Sequence, residues 1–260
     1  MCPRQRQTFL LFFLQQIGEV GVLLGQTIRR TFKKPWEWEI FIYQLEEVGV
    51  RSLPVVSLTA AFSGLVFGLQ TYAGFHRLIG PGSEAYGGPI ISLSLSKELI
   101  PILVGLMVSG RVGSSMAAEI GTMRITEQID ALVSLGADPI RYLVVPRTLA
   151  CIVMLPCLTL YGDIIGIFGG YFYNVIVMGV NRFVYIRNTL LYMEFWDVGS
   201  GLIKAAFFGG IIAIIGCWQG LKTEAGAEGV GRATTRAVVI SSILILIFNF
   251  FLSKALPADL

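Results

Sequence analysis

Five long apolar stretches dominate the chain, and shorter polar segments separate them. Their approximate bounds are residues 52–70, 89–110, 148–178, 198–221 and 237–252. A helix needs roughly 20 residues to cross about 30 Å of hydrocarbon, so the pattern fits five membrane spans, of which the last is the shortest. It predicts an all-α integral membrane protein with one domain over residues 1–260, a five-helix core at 52–254 and a separate N-terminal segment at 1–50.

The N-terminal segment has the pattern of an amphipathic helix. Apolar side chains recur at the spacing of one helix face, at Phe9, Phe12, Phe13, Ile17, Val20 and Leu24. The apolar run at residues 9–14 is too short for a signal peptide, whose apolar region spans about 7–15 residues. Because basic residues follow it, we predict an interfacial helix lying in the membrane surface. A helix packed on the protein itself is the alternative.

A second amphipathic pattern lies between the second and third apolar stretches. Residues 126–135 predict a short helix, with Thr126 as its N-cap, Gly136 as the left-handed residue after its end and Pro139 preventing continuation. Its apolar face consists of Ile125, Ile129, Leu132 and Val133. The polar side chains off that face are Glu127, Gln128 and Asp130. We expect the apolar face to bind another protein; packing on the chain itself is the alternative.

Composition and charge support a membrane location and give an orientation. Charged residues make up 14% of the chain, against about 25% in soluble domains. The net charge of +3 and the lack of a basic run with interleaved aromatics argue against nucleic-acid binding. Lys and Arg concentrate in residues 1–51, 111–147 and 222–236. Basic loops lie inside, so we predict a cytoplasmic N-terminus and short helix, and a C-terminus outside.

Four charged residues interrupt the apolar stretches: Lys97, Glu98, Asp163 and Lys204. A charge at the bilayer centre costs about 2.5–3.5 kcal/mol even on insertion scales. Lys97 and Glu98 lie roughly 12 Å below the outer start of the second span, and Lys204 roughly 9 Å below that of the fourth. Neighbouring helix positions point about 100° apart, so Lys97 and Glu98 are not expected to pair with each other. A Glu98–Lys204 ion pair joining two spans is possible at this depth.

Small residues surround Asp163, the embedded charge that is not yet discussed. Gly162, Gly166 and Gly170 recur at four-residue spacing around Asp163. Such faces permit close helix crossings in membranes. We predict a structural role for all four residues, with Asp163 accepting hydrogen bonds at a crossing.

The chain lacks the residue sets of intramembrane enzymes. Its one histidine, His76, falls in an outer loop, and neither a His-Glu-x-x-His motif nor a phosphate-binding Gly-x-x-x-x-Gly-Lys loop occurs. The four cysteines show no Cys-x-x-Cys spacing. We therefore predict no catalytic residues, no metal site and no cofactor in this chain. A non-transporting scaffold is disfavoured because it would not need four embedded charges.

Three runs carry a resemblance to a known family. They are KELIPIL at 97–103, GRVGSSMAAEIGTMRITEQIDALVSLGADP at 110–139 and YLVVPR at 142–147. These runs resemble the MlaE family of ABC-transporter permeases, the membrane subunits of bacterial Mla and Mce lipid-transport systems. The likeness extends from about residue 45 to the C-terminus.

The resemblance implies a set of partners. A second copy of the chain would complete a homodimer, which carries two cytoplasmic ABC ATPase subunits that bind ATP and Mg²⁺. A periplasmic MCE-domain protein would sit on the outer face, the substrate would be phospholipid, and the location would be the bacterial inner membrane. The rival hypothesis is an ion-coupled secondary lipid carrier without an ATPase, because buried Glu and Lys side chains could relay protons.

The resemblance also gives roles to two groups of residues. The lipid-binding residues would be Lys97, Glu98 and Lys204, because a phospholipid offers an anionic phosphate; a structural Glu98–Lys204 pair remains the alternative. The short helix would be the coupling helix seated in the ATPase. Its coupling residues would be Thr126, Glu127, Ile129, Asp130, Leu132 and Val133.

Overall fold

The computed structural model describes residues 3–31, 38–78, 80, 86–224 and 226–256, with the side chains of residues 3–13 left out. This part of the chain is helical and contains no β-strand. Eleven α-helices are described in it. They are α1 (Pro3–Thr31), α2 (Trp38–Val48), α3 (Leu53–Leu78), α4 (Gly87–Ser94), α5 (Ile100–Val108), α6 (Ser114–Ile125), α7 (Gln128–Ser134), α8 (Val145–Tyr171), α9 (Arg182–Tyr192), α10 (Phe195–Leu221) and α11 (Gly226–Ala255).

Five continuous helical segments are long and apolar enough to span a membrane, which confirms the predicted all-α integral membrane fold. They are Trp38–Leu78, Gly87–Ile125, Ile140–Val177, Phe195–Leu221 and Gly226–Ala255. Each exceeds its predicted length. The second segment joins α4, α5 and α6 through two π-helical turns, Leu95–Leu99 and Ser109–Gly113.

The first π turn has an identifiable cause. Pro101 follows it and has no N–H to donate to the carbonyl of Lys97, four residues earlier. The regular hydrogen-bond ladder is therefore interrupted where Lys97 and Glu98 lie. Such π turns within α-helices occur frequently at functional sites.

Helices α8 and α10 form the centre of the bundle, with most of their length buried. Close crossings at glycines make this possible: a Cβ on Gly64 would overlap the carbonyl of Gly166, and one on Gly201 would overlap that of Ser96. Gly162 and Gly170, on the same helix as Gly166, are buried too. These crossings bring the first span against the third, and the second span against the fourth.

The start of the short helix was predicted wrongly. Thr126 ends α6 instead of capping α7, and its hydroxyl donates back to the carbonyl of Thr122 at 2.8 Å. Glu127 follows in the left-handed region, with φ of 58°, and α7 begins at Gln128. The prediction failed because the glycine- and serine-rich residues 110–121 continue the second span as helix. The end was predicted correctly, since Gly136 has φ of 78°.

The described residues contain one helix that was not predicted, α9, and one that begins earlier than predicted, α11. The outer loop before the fourth span contains α9, whose N-cap Asn181 accepts from the backbone N–H groups of Phe183 and Val184. Helix α11 begins at Gly226, eleven residues before the predicted start of the fifth span at 237.

Helix α1 packs on the protein through part of its surface. Leu23 and Thr27 are buried, and Val20 packs against the same inner core. Ile17 and Leu24 of the predicted apolar face are exposed. The side chains of Phe9, Phe12 and Phe13 lie outside the described residues. One face of α1 therefore contacts the bundle, and an apolar flank is left for a membrane surface.

Candidate functional site

Lys204 lies at the centre of a charged cluster with Lys97, Glu98 and Asp197, in the half of the bundle that is predicted to face outward; we call it the outer cluster. From α10 its ammonium reaches Glu98 Oε1 at 2.7 Å, the carbonyl oxygen of Lys97 at 2.9 Å and Ser253 Oγ at 2.8 Å. An ammonium group has three donors, and all three are used. The Lys97 carbonyl that Pro101 cannot bond is thus satisfied by a side chain from another span.

Glu98 is held from two sides. Besides Lys204, it accepts a hydrogen bond from Asn249 Nδ2 at 2.9 Å and another from Ser253 Oγ at 2.8 Å. Asn249 and Ser253 lie one turn apart on α11, so they present both polar groups on one face. The carboxylate therefore joins the second, fourth and fifth spans.

Lys97 pairs with a different acid, as expected from the angle between neighbouring helix positions. Its ammonium lies 2.6 Å from Asp197 Oδ1. Asp197 occupies the first turn of α10, where its other oxygen accepts from the backbone N–H of Glu194 at 2.9 Å and closes a capping box. One acid thus serves as a helix cap and as the counter-ion of Lys97.

The four charges differ in their exposure. The Lys204 side chain is 2% exposed, whereas those of Lys97 and Glu98 are 25% and 41% exposed. Lys204 has neither a free donor nor an accessible surface, so the predicted alternative of a structural Glu98–Lys204 pair describes its contacts. The groups that reach the surface of the cluster are Lys97 and the open side of Glu98.

Asp197, Asn249 and Ser253 complete the cluster and were missed by the sequence analysis. A signal existed for each. Asp197 lies seven residues before Lys204, on the same helix face, and the polar residues Asn249 and Ser253 interrupt the apolar run of α11 four residues apart. Asp197 lies one residue before the predicted start of the fourth span at 198, so it was not counted among the embedded charges.

Asp163 does not join this cluster. It is buried on α8, and neither carboxylate oxygen has a hydrogen-bond partner among the described residues. The predicted role of Asp163 as a hydrogen-bond acceptor at a helix crossing therefore stays a prediction.

The short helix α7 divides its apolar side chains between two surroundings. Ile129 is buried in a core of its own chain with Ile120 and Leu143, and Leu132 packs against that core. Val133 is 55% exposed and Leu135, just after the helix, is 83% exposed. The alternative of packing on the chain itself describes one flank of this helix, and binding of another protein by the exposed flank stays a prediction.

The polar residues that were predicted to couple to the ATPase lie on the exposed surface at and next to α7. Glu127 and Asp130 are exposed, and Asp130 pairs with Arg124 of α6 at 2.7 Å. Thr126 is exposed as well, beyond the end of α6. The surface that could meet a partner is thus Val133 and Leu135 with a charged border.

A second group of charges lies at the opposite ends of the spans, which are predicted to face inward and are called the inner ends below. Arg111 donates to Ser52 Oγ at 2.8 Å and lies 3.3 Å from Glu47, while Arg147 pairs with Glu119 at 2.8 Å. Glu47, Arg111 and Glu119 line a cavity of about 210 Å³. No group of three or more His, Cys, Asp or Glu side chains suited to a metal ion occurs within the described ranges.

The comparison with protein families decides the class. The family model described as Permease MlaE matches residues 41–255. The chain belongs to the MlaE permease family. It is thus an ABC-transporter permease by family and a multi-pass membrane protein by structure.

Relatives of this MlaE-family chain come from distant organisms. A probable ABC transporter permease protein of Rickettsia felis is 49% identical, with 93% of this chain and 92% of the relative covered. The intermembrane phospholipid transport system permease protein MlaE of Haemophilus influenzae is 32% identical, with 93% and 92% covered. The chloroplastic protein Trigalactosyldiacylglycerol 1 of Arabidopsis thaliana is 39% identical, with 90% of this chain and 66% of that protein covered.

Proposed function

We propose that this chain is the permease subunit of an ABC transporter that moves phospholipid between the bacterial inner membrane and a periplasmic MCE-domain partner. The observation that carries the substrate class is the outer cluster, which keeps a cation and an acid accessible at membrane depth. The name of the 32% identical Haemophilus influenzae relative, an intermembrane phospholipid transport system permease, supports the same substrate.

The two lysines of the outer cluster have different roles. Lys204 and Glu98 hold three spans together, and Lys97 meets the lipid phosphate. Lys97 is the accessible lysine of the two, and its counter-ion Asp197 is also engaged by the cap of α10. A phosphate that approaches Lys97 can therefore compete for the ammonium without unfolding the helix. Glu98, at 41% exposure, is accessible as well.

A second copy of the chain would close the lipid path. Around Asn249 and Ser253, helix α11 exposes the apolar side chains of Leu246, Ile247, Phe250 and Phe251. The polar contacts of Glu98 thus lie at the border of an apolar face, which suits a headgroup beside acyl tails. We propose a homodimer whose seam includes this face of α11, with small residues allowing close helix contacts elsewhere.

Energy would come from two ABC ATPase subunits that bind ATP and Mg²⁺. No phosphate-binding loop occurs in the chain, so nucleotide chemistry belongs to another subunit. The surface formed by Val133 and Leu135 would seat in a groove of the ATPase, with the N-terminus on the cytoplasmic side and the C-terminus on the periplasmic side.

The ATPase contact is tested by charge on the exposed flank of α7. Val133→Asp and Leu135→Asp bury a carboxylate in the contact, which costs several kcal/mol, and each should reduce copurification of the ATPase at least tenfold. Gln128→Asp is the matched control, since it places the same charge on an exposed residue off this surface. Ile129→Asp is unsuitable because Ile129 is part of the core of its own chain.

Retention of the ATPase by both flank variants, with full transport, would contradict the coupling role. The rival function, an ion-coupled carrier, predicts that the permease alone moves lipid when an ion gradient is applied. Purified permease in vesicles, with and without the ATPase, separates the two functions.

A further inference from the structure

Of the four embedded charges that the sequence analysis singled out, Asp163 is the one that lies outside the outer cluster. Its side chain is 3% exposed, near the middle of the third span. Neither of its oxygens has a hydrogen-bond partner in the described part of the chain. The hydroxyls of Ser96 and Thr159 are also fully buried and unpaired. The bundle thus contains a group of three polar side chains without satisfied hydrogen bonds.

These three side chains belong together by position. Thr159 lies one turn before Asp163 on α8, which puts both on one face. Ser96 is in the π turn of the second span and near the Asp163 carboxyl, although the two side chains form no hydrogen bond of regular geometry. The carbonyl of Ser96 faces Gly201 of α10, where a Cβ would overlap it. Ser96 is therefore held between the helix of Asp163 and the helix of Lys204.

No cation in the described residues pairs with Asp163. Helices α4 and α5 carry no titratable side chain, and those of α3 are Tyr72, His76 and Arg77 in its last two turns. The π turn and α10 contribute four charges that are paired with one another in the outer cluster. Further charged groups near α8 lie at its inner end: Glu19, Arg29 and Arg30 of α1, Glu39, Glu46 and Glu47 of α2, Arg141 and Arg147, Glu119 of α6 and Lys222 beyond α10.

We propose that Asp163 binds a proton inside the membrane and, as a neutral acid, hydrogen-bonds Ser96 and Thr159. An ionised carboxylate without a partner is strongly disfavoured in a dry interior. A protonated carboxyl has one O–H donor and keeps an acceptor oxygen. It can donate to the Ser96 hydroxyl while its carbonyl accepts from Thr159, and small rotations of the side chains satisfy all three residues.

The proton site would position the lipid-binding residues. Ser96 directly precedes Lys97 and Glu98 in the π turn. A neutral Asp163 supports that turn from the α8 side, opposite the support from Lys204. Loss of the proton would place a negative charge behind the turn and compete with Asp197 for Lys97. Asp163 is thus a positioning residue, and its proton binding does not depend on the proposed substrate.

Infrared spectroscopy of the purified permease in detergent tests the proton directly. A protonated carboxyl in a dry site gives a carbonyl band separate from carboxylate and amide bands, and the band shifts in D₂O. We expect this band in the wild type at pH 7 and its loss in Asp163→Asn. Asp130→Asn is the matched control, since Asp130 is exposed and paired with Arg124, and it should keep the band. A wild-type spectrum without the band would overturn the proposal.

The pH dependence of thermal unfolding is a second readout that needs neither lipid nor ATPase. The folded chain would hold one proton more than the unfolded chain at neutral pH, so its stability falls as the pH rises. In the wild type, the folding equilibrium constant should fall about tenfold per pH unit in this range. Asparagine mimics the neutral acid, so Asp163→Asn should lose this pH dependence. Asp163→Leu should be less stable than Asp163→Asn at every pH.

Two results would assign the site to other ligands and overturn the proposal. A wild-type melting temperature that rises with Na⁺ concentration, and no such rise in Asp163→Asn, would indicate a bound cation. A wild type that is more stable than Asp163→Asn at every pH, without the infrared band, would indicate an ionised carboxylate solvated by buried water. Neither result bears on phospholipid transport, so failure here leaves the proposed function intact.

Discussion

The outer cluster and the ion pairs at the inner ends of the spans contain the same kinds of charged side chains, but these side chains differ in their burial. In the outer cluster, Lys204 and Asp197 are buried, and the ammonium of Lys204 and both oxygens of Asp197 are bonded. At the inner ends of the spans, pairs such as Arg124–Asp130 and Lys222–Glu19 are largely exposed. The outer contacts join three spans, whereas the Arg124–Asp130 and Lys222–Glu19 pairs each join two exposed segments. The Arg147–Glu119 pair differs from both, because its arginine is buried and its glutamate is exposed.

The difference teaches which charges the fold depends on. Exposed ion pairs contribute about 0–1 kcal/mol, because water screens them and long side chains lose entropy. Removing one partner of a buried pair leaves an uncompensated charge and costs about 3–5 kcal/mol. The number of ion pairs therefore says little about the stability of this protein. The burial of each pair decides how much its removal lowers the free energy of unfolding.

The largest expected effect comes from Lys204→Ala. It removes the cation of Glu98 and the donor of the Lys97 carbonyl. Because the Glu98 carboxylate that is left is 41% exposed, we expect a loss at the lower end of that range, about 3 kcal/mol in unfolding free energy. The neutral double variant Glu98→Gln with Lys204→Met should recover most of that loss, because no charge remains buried. Thermal unfolding of the purified permease measures both.

The swapped variant Glu98→Lys with Lys204→Glu sharpens the same point. It should recover only part of the stability, since a carboxylate at position 204 cannot bond the Lys97 carbonyl. An unchanged melting temperature in Lys204→Ala would show that the outer cluster is as weak as the inner pairs.

Lys97→Ala should have a smaller effect on stability and a larger one on lipid. Asp197 loses its cation but keeps its cap on the N–H of Glu194, so we expect a loss of about 1.5–3 kcal/mol, the range for hydrogen bonds to charged groups. Bound phospholipid, quantified by mass spectrometry of the intact complex, should fall several-fold. Arg51→Ala, which removes the exposed partner of Glu47, is the control and should keep its lipid.

The smallest effect is expected at the inner pair of Glu19 and Lys222, which ties α1 to α10. The hydrogen bond from Lys222 lowers the pKa of Glu19 below its ordinary value. The pair therefore contributes its full stabilisation at a pH above the pKa that Glu19 has in the unfolded chain. That contribution is lost as the pH falls through the lower pKa that Glu19 has in the folded chain. Glu19→Gln should cost below about 1 kcal/mol at pH 7. The variant and the wild type should converge in thermal unfolding at low pH.

The sequence predicted the spans and the embedded charges because both depend on simple physical quantities. Length and apolarity define a span, and the cost of a charge in hydrocarbon singles out Lys97, Glu98 and Lys204. The angle between adjacent helix positions also separated the partners of Lys97 and Glu98 correctly. These inferences need no knowledge of how helices pack.

The errors arose where packing overrides local pattern. Residues 110–121 are rich in glycine and serine, yet they continue the second span because α10 and α11 pack against them. That extension moved Thr126 from the start of one helix to the end of another. Asp197, Asn249 and Ser253 escaped because their role depends on which spans meet, and hydropathy does not specify neighbours. The unpaired state of Asp163 could be seen only after packing placed Ser96 beside it.

The central claim is that this MlaE-family permease moves phospholipid with energy from a separate ATPase. Its most direct test is transfer of labelled phospholipid between vesicles containing the reconstituted complex and an MCE-domain acceptor. The account predicts transfer in one direction or the other that requires ATP and Mg²⁺ and falls strongly in Lys97→Ala. Transfer by the permease alone under an ion gradient, or no ATP-dependent transfer of any phospholipid, would contradict it.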